Sequence, residues 1–478
     1  MPQRLISHRV MRSSPATLII PVENQVREFD AKLLLACVAA ERGLAVVIGS
    51  QPFVQFAMPS LRRGVFLAKS LRYNSALMLG LIQSLGHEIV AWDEESLVRY
   101  DSPDYYSWRF SPDTFRPLSH LFAWGPDDAE MFSAYPGANG VPVHVTGNPR
   151  ADLLRPELRG YFADAAGELR ERHGDFILIN TNFSFVNAFV PSLNLIQAAG
   201  AGSQVSRTGH GMSLEFARGM AAHQRAIHDR FRALLSELSA WFPERTIVLR
   251  PHPSEDHGAW ERATADFANV RVLHSGNVVP WLLACRVLLH NGCTTAVEAT
   301  LLGIPAVSYQ PVMAASYDYY LPNALSHCAQ TPAEVRELLT DILAGRVGQV
   351  AAAVRNPILA RHLAATSGEL AADRVVDVLE SAGHTTRRPA WPGMPQFLKG
   401  WVGGHLRTAI KQINMRRPGH RNSAAYHAHR FPEISVAQVE NRVGRLRTLL
   451  GRFQGVHVKQ LSRYLFAIDR DGAQRDHA

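Results

Sequence analysis

The sequence is poor in cysteine, in charge and in long apolar runs. Its four cysteines, Cys37, Cys285, Cys293 and Cys328, show no CxxC spacing. That fits a reducing cytosol better than a disulfide scaffold or a zinc site. Charged residues make up 19% of the chain and hydrophobic ones 46%, a balance that builds folded cores rather than disorder. No apolar run reaches the ~20 residues of a membrane-spanning helix. The apolar stretch Thr17–Val22, after a polar and basic start over Met1–Ser14, is also too short for a signal-peptide core. GxGxxG and aromatic RNA-binding signatures are missing too, so nucleic acid is not an expected partner. There is no repeat of solenoid length.

What is present is length and a basic balance. The 478 residues suffice for two to three domains. Lys and Arg number 50 against 42 Asp and Glu, a net charge of +8. That favours anionic partners such as nucleotides, phosphorylated lipids or an acidic membrane face. The expected location is the cytoplasm, with any membrane contact peripheral. The residues for such contact are the basic tail, Lys399, Arg407, Lys411, Arg416, Arg417 and Arg421; a merely solvated surface is the competing reading of the same charges.

The stretch Thr246–Pro311 organises the rest. It opens with an apolar run into Arg250-Pro-His-Pro253, and continues to Val287-Leu-Leu-His-Asn-Gly-Cys-Thr-Thr295 and Gly303-Ile-Pro-Ala-Val-Ser-Tyr-Gln-Pro311. This pattern predicts the strand–loop–helix repeat of a parallel α/β sheet. Open α/β sheets bind ligands at the carboxyl ends of their strands, where Arg250 and His252 stand. Asn291, Gly292, Thr294 and Thr295 open a helix at the next such edge, with Glu298 one turn on. Unpaired helix N–H groups beside two hydroxyls can hold an anion such as phosphate. Asn180 and Asn182 follow the strand Phe176–Asn180, on the same kind of edge. His252 also reads as a plain strand-end histidine in a Pro-bounded turn.

The front half repeats the pattern. Thr17–Val22 is the first strand, Glu23–Asp30 a polar loop carrying Glu23, Arg27 and Asp30, and Ala31–Arg42 a helix stopped by Gly43. Leu44–Ile48, Gly64–Leu67, Glu88–Trp92, His120–Trp124 and Pro142–Thr146 are further strands. Asp93-Glu94-Glu95-Ser96 follows one of them. Two readings stand for these acids: crowded carboxylates with altered pKa, suited to acid–base work, or an N-cap stabilising the start of a helix. Phe216–Trp241 is a long amphipathic helix, and Phe185–Gly211 before it is irregular. Further helices are expected at Pro332–Leu343, Arg361–Glu380 and Ser435–Leu450. The domains so read are residues 1–152, 153–383, and a basic linker and helical tail, 384–478.

Two tandem α/β halves with anion-binding motifs in the second resemble the GT-B glycosyltransferases. The set Pro21-Val22-Glu23, Arg27–Asp30, Asp93-Glu94-Glu95, Thr146-Gly-Asn-Pro-Arg-Ala-Asp152, Asn180-Thr-Asn182, Arg250-Pro-His-Pro253 and Asn291-Gly292 resembles the bacterial surface carbohydrate biosynthesis proteins over most of the chain. In motif it is also similar to the CMP-sugar-using sialyltransferases and capsule Kdo transferases, which pair an acidic motif with His-Pro. That likeness implies Glu94 or Asp93, with Glu95 beside them, as base or nucleophile, and His252 as support for the leaving nucleotide. Here Ser96 stands where the acidic motif carries glycine. The resemblance implies a GT-B-like fold of two Rossmann-like domains facing a cleft, with the front half (Glu23, Arg27, Asp30) on the acceptor side. It implies transfer from a nucleotide-sugar, CMP-linked donors among the candidates, to a growing surface polysaccharide such as capsule or lipopolysaccharide, or to a lipid-linked glycan. The nucleotide-sugar is a co-substrate; no separate cofactor and no metal are expected. The rivals are a sugar-nucleotide 2-epimerase of the same fold, a glycerol-phosphate-type transferase, and a non-catalytic assembly factor.

Overall fold

In the computed structural model, residues 15–100, 104–200, 202–417, 420 and 422–470 are described. The basic N-terminal start and Arg421 lie outside them. The front sheet is built from β1 (Thr17–Val22), β2 (Ala45–Ser50), β3 (Gly64–Ala68), β4 (Glu88–Ala91), β5 (Leu118–Ala123) and β6 (Val143–Val145). The back half supplies β7 (Ile177–Asn180), a small hairpin β8 (Ile196–Ala199) and β9 (Gly202–Val205), then β10 (Ile247–Arg250), β11 (Val270–Val272), β12 (Val287–His290), β13 (Ala306–Tyr309) and β14 (His327–Ala329). The chain closes on β15 (Val456–Ser462) and β16 (Leu465–Arg470).

The back sheet runs β11-β10-β7-β12-β13-β14 and is parallel throughout. The front sheet runs β15-β16-β2-β1-β3-β4-β5-β6, parallel from β2 to β6. Both central strand sets are buried on both faces, as their unbroken apolar runs require. Pro21 sits in central β1 without loss, because pairing with β3 covers only Thr17 to Ile19 and so needs no donor there. The result is two Rossmann-like units whose carboxyl edges face each other, the GT-B-like layout expected from the sequence. Among the described residues no helix is long and apolar enough to cross a membrane.

Three segments differ from the sequence reading. The expected polar loop Glu23–Asp30 is mostly helix, which spans Gln25–Glu41 and is buried on nearly every side. Such a helix is sandwiched between layers; the front sheet and the helices Ala371–Ser381 and Val436–Leu450 lie around it. The helix expected over Arg361–Glu380 is two, Ala352–His362 and Ala371–Ser381. Thr366-Ser-Gly368 breaks it, and Asp152 caps the second piece by accepting from Ala371 N–H at 2.8 Å and Ala372 N–H at 3.0 Å. The tail holds the helices Met394–Met415, Ala424–Arg430 and Val436–Leu450, and then its hairpin extends the front sheet. Leu465–Ile468 pair antiparallel with β2 and are buried. Gly49 permits this: a Cβ there would fall 2.1 Å from Tyr464 O.

Asp152 is wholly buried, so removing its carboxylate strands two helix N–H groups. Asp152→Ala is expected to lower unfolding stability by about 2–4 kcal/mol in denaturant titrations.

Candidate active site

The three acids after β4 do not cap a helix. Residues 92–100 form turns, and the next described helix begins only at Asp104. Each carboxylate instead meets its own cation. Asp93 is fully buried and takes a two-pronged contact from Arg109, with Nε–Oδ2 at 2.5 Å. Glu95 pairs with Arg27 at 2.6 Å. Glu94 accepts from Lys32 at 3.0 Å and from Trp92 Nε1 at 2.9 Å, both through Oε1. Its other oxygen, Oε2, is buried, has no hydrogen-bond partner among the described residues, and lies 4.0 Å from Arg150 Nη1.

Lys32 fixes this arrangement. Its ammonium is 2% exposed and reaches Glu28 at 2.8 Å, Glu94 at 3.0 Å and Pro21 O at 3.0 Å. An ammonium has three donors, and all three are engaged. Burial alone would raise the pKa of Glu94, but Lys32, Arg150 and Lys69 together hold it at about 2. Against the same desolvation, Arg27 keeps Glu95 well below the usual carboxylate range. Glu94 and Glu95 are therefore ionised at neutral pH.

Arg150 spans the two halves. It follows Asn148, whose side chain accepts from Arg150 N–H at 3.0 Å. Its Nη2 meets Glu298 Oε1 of the back half at 2.6 Å, while its Nη1 faces Glu94. Glu298 Oε2 and Asn148 Nδ2 are buried without a hydrogen-bond partner among the described residues, as Glu94 Oε2 is. The guanidinium also lies over the Trp124 ring, 5.5 Å from its centroid. The sequence motif contained Arg150 but gave it no role.

On the back half, His252 is held by Glu255, whose buried Oε1 accepts from His252 N–H, Phe183 N–H and the Thr181 hydroxyl at 3.1, 3.1 and 2.9 Å. Ser254 N–H donates to His252 Nδ1 at 3.2 Å. That bond occupies the Nδ1 lone pair and assigns the proton of the neutral ring to Nε2. Burial, with Arg27 of the front half adding its charge, lowers the pKa of His252 to about 4. Glu95 acts on it in the opposite sense, and Arg430 and His257 also lower it. At neutral pH the ring is an uncharged donor, and Arg27 and Glu95 stand across the crevice from it.

Arg250 is engaged elsewhere. Its guanidinium donates to Ser275 O at 2.9 Å and Gly276 O at 3.0 Å and stacks on Trp281 at 4.7 Å; burial lowers its pKa to about 9. Asn291 and Asn182 join their two loops, with Asn182 N–H donating to Asn291 Oδ1 at 2.8 Å. Gly292 has φ +78°, a conformation that favours glycine. The Gly292 and Cys293 N–H groups, however, both point to His290 Nδ1, at 3.0 and 3.3 Å. Thr294 lies at the start of the helix Thr295–Leu302 and makes no capping bond among the described residues, and the buried Thr295 hydroxyl lies against the Cys293 thiol. Asn180 sits between Arg250 and His290 in the sheet register; its buried amide has no partner on either atom among the described residues. On the front half Glu23 binds Lys69 and Arg430, and Asp30 accepts from Tyr161 at 2.9 Å and Arg442 at 2.8 Å.

The tail completes the site. His429 donates to Pro253 O at 2.8 Å, beside His252, and Arg430 reaches Glu23 at 2.5 Å. A cleft of about 530 Å³ runs past Glu23, Glu94 and Glu95, and its cations include Lys69, Arg72, Arg109, Arg207, Arg407, Lys411 and Arg430. Three of these, Arg407, Lys411 and Arg430, come from the tail. Nothing in the tail's sequence places them beside the carboxyl edge of the front sheet.

No protein-family description matches the sequence, and no curated protein matches it. Among solved structures, the chain is similar to the wall teichoic acid polymerase TagF with CDPG, at 10% identity and TM-score 0.49, covering 78% of this chain and 89% of that one. It is similar to the UDP-GlcNAc 2-epimerase of Methanocaldococcus jannaschii at 10% identity and TM-score 0.44, covering 76% and 99%. HepE of Anabaena, in complex with UDP and glucose, shares 11% identity at TM-score 0.40, covering 77% and 100%.

Two outcomes follow from the charges. Arg150→Met leaves Glu94 and Glu298 without their shared cation and is expected to lower stability by about 3 kcal/mol; Glu298→Gln in that background should recover part of it in a double-mutant cycle. Burial, with Arg430 beside it, lowers the Lys69 pKa to about 8, so its charge fades as pH rises through 8. Calorimetric binding of inorganic sulfate, whose charge is constant in this range, should weaken several-fold above that pH, and the loss should be smaller in Lys69→Arg, which keeps its charge.

Proposed function

We propose that this chain is a glycosyltransferase. It moves a sugar from a nucleotide-activated donor to a growing surface polysaccharide or lipid-linked glycan. The observation that carries the reading is an ionised Glu94 after β4, with one oxygen unpartnered among the described residues, together with a neutral His252 after β10 that holds its proton on Nε2 and feels the charges of Arg27 and Glu95 from the front half.

In such a transfer the acceptor hydroxyl attacks the anomeric carbon. The bond from that carbon to the phosphate oxygen breaks, and its electron pair stays on the phosphate. Positive charge develops on the sugar and negative charge on the leaving group. His252 Nε2–H donates to the leaving phosphate oxygen, and the buried Asn180 amide, unpartnered among the described residues, lies on the same sheet edge. Glu94 faces the sugar. A carboxylate at about 2 is a weak base before substrate binds. Its first role is electrostatic: it stabilises the positive anomeric centre and orients the acceptor O–H through its free oxygen. The hydroxyl proton passes to it late, as the new bond forms. The cleft cations neutralise an anionic acceptor or donor.

In this reading the back half holds the donor and the front half the acceptor, and the transfer takes place between them. Incubation with a nucleotide-sugar alone is the direct test: rapid epimer formation without acceptor would overturn the transferase reading in favour of an epimerase. Thermal shift with CMP, UDP and GDP identifies the donor class. Glu94→Gln and His252→Ala are each expected to lower kcat by roughly 100-fold or more with the melting curve still cooperative. Unchanged turnover in both would remove these residues from the reaction.

A further inference from the structure

The helix Met394–Met415 carries its apolar face outward. A surface helix ordinarily turns that face to the core. Here the core-facing side is glycine: a Cβ on Gly400 would fall 2.9 Å from Leu85 N, and one on Gly404 2.9 Å from Pro59 Cγ. The outer row Leu398, Trp401, Val402, Leu406, Ile410 and Ile413 is between 42% and 61% exposed. The spacing follows the turns of the helix, so the row is one continuous strip. Contiguous exposed apolar surface of this kind marks an interaction site.

Charge identifies what covers it. Between Ser381 and Pro432 the chain has nine Lys and Arg and no Asp or Glu. Lys399, Arg416 and Arg417 flank the strip and are exposed, and Trp391 just before the helix is exposed as well. A second copy of the chain would set this cationic segment against itself. An apolar strip bordered by cations and tryptophan matches the boundary of an anionic bilayer instead.

We infer that the helix Met394–Met415 lies in the interface of an anionic membrane and seats the protein there. The helix also has a third face. Arg407 and Lys411 point inward, both reaching Gln55 Oε1 at 3.0 and 3.1 Å, and both line the cleft. The element that docks on lipid therefore forms one wall of the cleft, and a phosphate borne at the membrane surface has a short path to it. That last step rests on the transferase reading; the docking does not.

The test is co-sedimentation of the full chain with vesicles of phosphatidylglycerol in phosphatidylcholine, against phosphatidylcholine alone. The native chain is expected to bind the anionic vesicles and to be released by salt. Leu406→Ser with Ile410→Ser should reduce binding about tenfold or more, with an unchanged melting temperature. The difference spectrum between native protein and Trp401→Phe should show a blue-shifted Trp401 on anionic vesicles. A chain that stays in the supernatant, or a double variant that binds as the native does, would overturn the inference. A dimer in sedimentation equilibrium that the double variant dissociates would overturn it too, by giving the strip to a second copy. Donor-only assays in solution report the transferase reading separately.

Discussion

A single buried ammonium holds the front of the site together. Lys32 binds the carbonyl end of β1, the first turn of its own helix through Glu28, and the acid after β4. A charge taken so far from water is tolerated only with its donors met and a carboxylate beside it. The consequence runs both ways. Lys32 needs Glu94 in one place, and Glu94, so fixed, stays ionised with one oxygen left over. Lys32 can do this because the stretch Gln25–Asp30 is helix, which sets Glu28 and Lys32 one turn apart on the same face.

The acids after β4 pose a second constraint. Three carboxylates in sequence repel one another unless cations separate them. Those cations come from different parts of the chain: Arg27 and Lys32 from the first helix, Arg109 from beyond β4, and Arg150 from the single helical turn Pro149–Asp152 after β6. Arg150 carries the arrangement into the other half by holding Glu298. The tail then adds Arg430 to Glu23 and His429 to the His252 loop. The crevice is thus bordered by three stretches of chain, and its charges are set by contacts between them.

The sequence disclosed the sheets well and the site in part. Parallel strands buried on both faces leave plain apolar runs, and Gly43 marks a helix end, with φ +89°. The loops after β4, β7, β10 and β12 were legible because polar clusters at strand ends stand out. Which of their groups stay free was not legible. Arg250 looks like a phosphate ligand in sequence, yet loop carbonyls and Trp281 claim it. The N–H groups of Gly292 and Cys293 are claimed by His290, which sequence offers no reason to single out. β15 and β16 escaped because Lys459 and Arg463 interrupt their pattern and their partner is β2, far away in the chain. The tail's charges read as surface because only its return to the front sheet brings Arg407, Lys411 and Arg430 to the cleft.

Ion-pair networks are common in folded proteins without any chemistry attached. In this one several atoms are unmet, as a few are elsewhere in the fold. A network that served stability alone would satisfy each buried oxygen, since an unpaired one costs free energy. Here Glu94 Oε2, Glu298 Oε2, Asn148 Nδ2 and both ends of the Asn180 amide are buried without hydrogen-bond partners among the described residues. Glu94 and Glu298 share Arg150, and Asn148 is two residues from it. On the proposed reading, these atoms are the ones a polar substrate meets. Its binding would supply the missing partners, and the fold holds those atoms in place before the substrate arrives.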